Sequence, residues 1–183
     1  MRYVAGRNLF KEYADIREGL IFQYKKGDLS KKEYIRESYD LLLRYEASPF
    51  QNVDSFDKAV FNYHYYNTMA KYIKMKADEL RQKEKHQDLY RQMIQRKDKY
   101  YHQKDRTSWC AVKLLDYSGI EAYHIKVTSR FLKESLLEIV FIDYPEVVFH
   151  SRGKWLKEQL EKEGLFLDGT RRSVIEHYVN ERY

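Results

Sequence analysis

Six histidines are the residues best suited to acid-base or metal chemistry: His64, His86, His102, His124, His150 and His177. No two of them stand at the HExxH spacing, or at another spacing that would put two imidazoles on one helical face as a metal pair. A phosphate loop, a GxSxG elbow and a dinucleotide fingerprint are also missing from the sequence. One constellation remains. His124, Glu138 and His150 fall on three stretches with strand patterning, and Asp116 and Asp143 fall at element ends. Imidazole and carboxylate could then meet on one sheet face as metal ligands or as an acid and base pair. Placement on strands does not by itself meet the geometric tests of a site. The set is therefore expected to be structural, with Glu138 at a strand end or in a salt bridge to a neighbouring Lys or Arg. Cys110, the single cysteine, stands beside Trp109 in a helical stretch and reads as a small buried apolar residue rather than a nucleophile. The sequence thus points to no catalytic residue, no metal and no cofactor, and the expectation is that the protein is not an enzyme.

The second chemistry is charge. Between Arg81 and Arg106, nine Lys and Arg stand against four Asp and Glu, while the whole chain carries a formal +6. The excess is therefore local, centred on "RKDKYYHQKDR". Read functionally, Arg96, Lys97, Lys99, Lys104 and Arg106 meet phosphates and release counterions, and Tyr100 and Tyr101 offer faces for bases to stack on. Read structurally, the stretch is a solvated helix face. Arg81 with Glu84, Lys85 with Asp88 and Asp88 with Arg91 stand three apart and compensate part of the charge. No nucleic-acid-binding motif accompanies it.

The third feature is "FNYHYYNTMAKYI" from Phe61 to Ile73, with four tyrosines. Ala59, Tyr63, Tyr66, Ala70, Ile73, Ala77 and Leu80 follow steps of four and three, the seam of a packed helix, and Tyr65, Met69 and Tyr72 form a second row beside it. Lys71 and Lys74 fall mainly on the opposite face, with Asn67 and Asp78. Alanines between aromatics suit close helix packing, whereas a platform for bases needs open rings. The row therefore reads as core or as a helix-to-helix interface. Its arc is wider than one hairpin covers, which nominates Tyr63, Tyr66, Ala70 and Ile73 as the interface of a homodimer.

These residues need elements to hold them. From Arg7 to Lys26 the apolar spacing predicts a helix that ends at "KKGDLS", with Gly27 as a left-handed cap. "SKKE" from Ser30 to Glu33 has the form of a capping box and opens a second helix reaching about Ala47, before Pro49. From Ser55 to Tyr117 there is neither glycine nor proline. One very long helix, or two joined at the polar stretch "RQKEKHQ" of residues 81–87, is expected there. After "DYSG" the pattern becomes that of strands: Tyr123, Ile125 and Val127 alternate, "LLEIVFI" is almost continuously apolar, and "EVVFH" follows. That predicts a three-stranded, mainly antiparallel sheet whose middle strand is buried on both faces. Helices near residues 153–163 and from about Arg171 to the end complete the chain.

The class is α+β: a helical hairpin and a long helix or helix pair, then a small sheet with two C-terminal helices. By this reading residues 1–118 are a helical region and residues 119–183 a small α+β region. A length of 183 residues suits one domain, and 43% hydrophobic with 34% charged residues suits a folded, charge-rich chain. No stretch has the apolar length of a signal peptide core or a membrane span, and one cysteine rules out an intrachain disulfide. A soluble protein of the cytoplasm, with no membrane partner, is expected. The first functional expectation is a non-enzymatic interaction or scaffold protein that self-associates as a homodimer. The alternative is a nucleic-acid-binding accessory protein that uses residues 96–106.

Overall fold

The computed structural model describes residues 9–81, 86–116, 123–130, 134–141, 144–152 and 154–163. Its class is α+β and helix-dominated, in the order α1 (Leu9–Lys26), α2 (Lys31–Arg44), α3 (Phe56–Leu80), α4 (Gln87–Asp116), β1 (Tyr123–Arg130), β2 (Glu134–Phe141), β3 (Tyr144–Ser151) and α5 (Lys154–Lys162).

The turn between α1 and α2 is set by local chemistry. Lys25 and Lys26 meet the negative end of the α1 dipole. Gly27 then takes a φ of 90°, which a side chain would resist, and the N–H groups of Gly27 and Asp28 close back on the carbonyls of Tyr24 and Gln23. At Ser30 the reciprocal cap forms. The Ser30 hydroxyl accepts from the Glu33 N–H, and the Glu33 carboxylate accepts from the Ser30 N–H at 2.8 Å. Helix α2 buries Ile35, Ser38, Leu41 and Leu42, one face at three-and-four spacing.

Helices α3 and α4 are separate. Leu80 ends one and Gln87 begins the next, with residues 82–85 outside the described set.

Contacts within the chain fall into two units: Met1–Gln51 with His64–Tyr101, and Asn52–Tyr63 with His102–Tyr183. The first is helical, and its buried residues include Tyr13, Ile35, Leu41, Leu42, Ala70, Ile73 and Ala77. Tyrosine pairs line it, with Tyr39 stacked on Tyr72 at 3.7 Å and Tyr24 on Tyr34 at 4.8 Å between centroids.

The second unit contains an antiparallel sheet in the order β1-β2-β3. Leu137, Ile139, Phe149 and Ser151 are buried on one face, while Glu138, Val140 and Val148 are part-exposed and His150 is exposed on the other. The middle strand was expected to be covered on both faces; among the described residues it is covered on one. Glu138 marks the alternation inside that apolar run. The covered face packs with Phe56, Ala59 and Tyr63 of α3, Ala111 and Val112 of α4, and Leu156 and Leu160 of α5. Phe149 stacks on Tyr63 at 4.1 Å. Pro145 sits in the first turn of pairing on the edge strand, where a missing N–H is tolerated. The helix expected from Arg171 onwards lies outside the described residues. Among those described, no helix is long and apolar enough to cross a membrane.

Candidate functional site

Strand β3 is an edge, and the unpaired backbone of an edge strand must find partners elsewhere. At His150 both groups are taken by side chains. The N–H donates to the Tyr63 hydroxyl at 2.8 Å, and the carbonyl accepts from the Lys104 ammonium. Lys104 also lies 5.5 Å from the centre of the Tyr63 ring and 4.0 Å from the Asp105 carboxylate. It is 6% exposed. The basic-segment reading placed Lys104 outward to meet phosphate, and that placement is corrected here: its ammonium is spent on the sheet edge. The sign was present in the spacing, since Lys104 shares a row of four and three with Ser108 and Ala111, both fully buried.

Asp105 is buried beside it, with Oδ1 accepting no hydrogen bond among the described residues. Burial pushes its carboxyl up from the ordinary 3.8; Lys104, a Ser151 hydrogen bond and His102 pull the other way without cancelling it.

On the other sheet face, Glu138 and His150 meet, with Nε2 3.3 Å from the carboxylate. The register sets Lys126 opposite Glu138 and Glu138 opposite His150, with His124 two positions away opposite Val140. Glu138 is in mid-strand, not at an end, and pairs with His150; the side chain of Lys126 lies outside the described residues. No group of three His, Cys, Asp or Glu that could hold a metal ion occurs among the described residues. Asp143 lies outside them. Cys110 is half-buried, and burial pushes its thiol up, so it is protonated at neutral pH.

The rest of the basic segment is divided. Arg96, Lys99 and Arg106 are exposed; Lys97 is half-buried and pairs with Asp98 at 3.0 Å; Tyr100 and Tyr101 are half-buried. In the helical unit, Tyr100 is hydrogen-bonded to the Arg96 guanidinium, which lies 5.8 Å from the ring centre. Tyr66 lies 6.2 Å from Tyr100 and 5.4 Å from Tyr65. Burial, followed by Tyr100 and Tyr66, pushes the Tyr65 hydroxyl up, so it stays a donor at neutral pH. Asp88 and Arg91 do pair, at 3.4 Å, but both are highly exposed and the pair contributes little. Glu84 and Lys85 lie outside the described residues.

Of the four nominated interface residues, Tyr63, Ala70 and Ile73 are buried inside the single chain and Tyr66 is half-buried.

One cluster has no counterpart in the sequence reading. In the helical unit, Arg17 of α1 donates to Nδ1 of His64 at 2.7 Å. Burial, then Arg17 and Lys71, holds the His64 imidazole well below 6.5, hence neutral. Lys71, which was assigned to the outward face, is half-buried, and its ammonium is lowered by burial, then by Lys31 and Arg17. Arg17 and His64 are 47 residues apart, beyond any spacing rule.

The chain belongs to the DUF6648 family, described as a family of unknown function, with residues 3–183 matched. No curated protein and no solved structure matches it.

Proposed function

Membership of that family brings no activity with it, and we propose that this member is a non-enzymatic nucleic-acid-binding protein that receives phosphates on the outward face of α4. Arg96 and Lys99 carry the binding. The supporting observation is that Arg96 and Lys99 are exposed and, among the described residues, no carboxylate pairs with either. Cations without a carboxylate partner attract a polyanion and release its counterions on binding. Tyr100 adds order, because its hydroxyl accepts from Arg96 and narrows the directions the guanidinium can take. A reducing, cytoplasmic setting belongs to the same proposal, on the strength of a single cysteine.

The test is fluorescence anisotropy with a labelled oligonucleotide at several salt concentrations. Binding should weaken steeply as salt rises. Arg96→Gln with Lys99→Gln should lower the slope by about 1 for each phosphate contact removed. Lys104 is left untouched because it holds the sheet edge. Absence of binding at low salt would reduce these cations to a solvated face.

Self-association is the alternative proposal. It draws support from Phe22 and Leu43 in the helical unit, which are 66% and 58% exposed, and no longer from the tyrosine and alanine row.

A further inference from the structure

Helices α2 and α3 bring two tyrosines face to face. Tyr39 of α2 and Tyr72 of α3 lie with ring centres 3.7 Å apart and planes 4° from parallel. Both belong to the helical unit and both are half-buried, so solvent still reaches them. The pairing of the helices sets this approach. Glu79, two turns beyond Tyr72 on the same face of α3, lies 3.3 Å from Lys32 and 3.8 Å from Arg36 of α2. Residues 32 and 36 thus sit beside residue 79, and residue 39 beside residue 72, which makes the two helices antiparallel.

Two neutral rings avoid such an overlap. Each π face is electron-rich, so aromatic pairs favour an offset or edge-to-face contact with centres about 4.5–7 Å apart. Tyr13 with Tyr45, at 6.1 Å and 78°, and Tyr65 with Tyr66, at 5.4 Å and 84°, take the edge-to-face form. Tyr24 and Tyr34 overlap more loosely, at 4.8 Å and 18°. Removing one electron from the Tyr39 and Tyr72 pair turns face-to-face repulsion into attraction, because the hole spreads over both rings. The Lys76 ammonium, 5.9 Å from the Tyr72 ring centre, opposes the hole, and Glu79, 3.2 Å from that ammonium, offsets it. Proximity then decides the product. A tyrosyl radical has spin on its oxygen and on the two Cε carbons, and two radicals already in contact couple without having to meet by diffusion.

We propose that Tyr39 and Tyr72 are a site of oxidative cross-linking, joined as dityrosine by a one-electron oxidant of the haem peroxidase class working on hydrogen peroxide. Each phenol gives one electron to the oxidant and its hydroxyl proton to water. A Cε–Cε bond forms between the rings. The hydrogen on each bonded carbon then leaves as a proton while each oxygen takes one back, which restores both phenols. The chain loses two electrons and two protons in all, and these convert one hydrogen peroxide to two waters. With a single cysteine the chain cannot close an intrachain disulfide, and this bond provides a staple between α2 and α3 in its place. Thiols do not reduce a carbon–carbon bond, so the staple persists in a reducing setting.

The experiment treats the full chain at micromolar concentration with a haem peroxidase and stepwise additions of hydrogen peroxide. The native chain should gain dityrosine fluorescence while keeping the 22.4 kDa monomer mass less two hydrogens, and peptide mass spectrometry should map the link to Tyr39 and Tyr72. Tyr72→Phe and Tyr39→Phe keep an aromatic ring in the packing and remove the oxidisable hydroxyl. Each should lower the yield of intrachain link by roughly tenfold or more, whereas Tyr24→Phe, in the looser stack, should leave it unchanged. In urea that unfolds the chain, the native sequence should lose the link by a similar factor, since nothing then holds the rings together. Absence of the link in the native chain, a link mapped to other tyrosines, products joined only between chains, or an equal yield in urea overturns the site.

Discussion

Asp105 carries the clearest electrostatic cost among single residues. It is buried, its Oδ1 accepts no hydrogen bond among the described residues, and the Lys104 ammonium is 4.0 Å away and already engaged by a carbonyl. Its carboxyl is raised above the ordinary 3.8, so the folded chain holds this proton more tightly than the unfolded one. The stability it lends is complete below 3.8 and is lost as pH rises through the folded value. Asp105→Asn does not titrate. The variant should therefore be more stable than the native chain at neutral pH, and the difference should close as pH falls towards 3.8, as read by urea denaturation across pH. A destabilised variant at neutral pH would mean that the Lys104 pairing outweighs burial. At this scale the sequence was legible where the chemistry is local. Ser30 and Glu33 announce their cap because donor and acceptor are three residues apart. Lys104 was misjudged because a lysine's type suggests water, whereas its carbonyl acceptor at His150 lies 46 residues away.

Elements were legible through period. The row from Ala59 to Ala77 reads as packed because alanine and aromatic residues recur at helical spacing, and Ala59, Tyr63, Ala70, Ile73 and Ala77 are all buried. Strand β2 was read with both faces covered because six of the seven residues of "LLEIVFI" are apolar, yet burial follows the pleat and not the count. The edge of β3 was not legible at all, since the groups that finish it come from α3 and α4. Tyr63→Phe tests that arrangement. The ring still fits against Phe149, but the His150 N–H loses its acceptor at the part-buried sheet edge. A loss of about 1–3 kcal/mol is expected in denaturant unfolding. Faster amide exchange at His150 should accompany it, and an unchanged exchange rate there would show that another acceptor serves the edge.

At the scale of the whole molecule, both contact units are assembled from separated stretches of chain, with α3 and α4 contributing to each. A reading that moves along the chain sees composition change and cannot see such an assembly. The same limit explains the dimer expectation. The apolar arc of residues 59–77 is wider than one helical hairpin covers, and a second subunit was invoked to cover it. Yet Tyr63, Ala70, Ile73 and Ala77 are buried within one chain. Among the described residues, the large apolar side chains left exposed are Phe22, Tyr24, Leu43 and Leu89, on three different helices. Single exposed side chains of this kind are ordinary on a monomer, whereas a stable dimer buries about 800 Å² on each partner. Light scattering at micromolar concentration should therefore report a mass near 22.4 kDa. A mass near twice that value, returned to the monomer by Phe22→Ser or Leu43→Ser with the fold intact, would restore self-association and place its interface on α1 or α2.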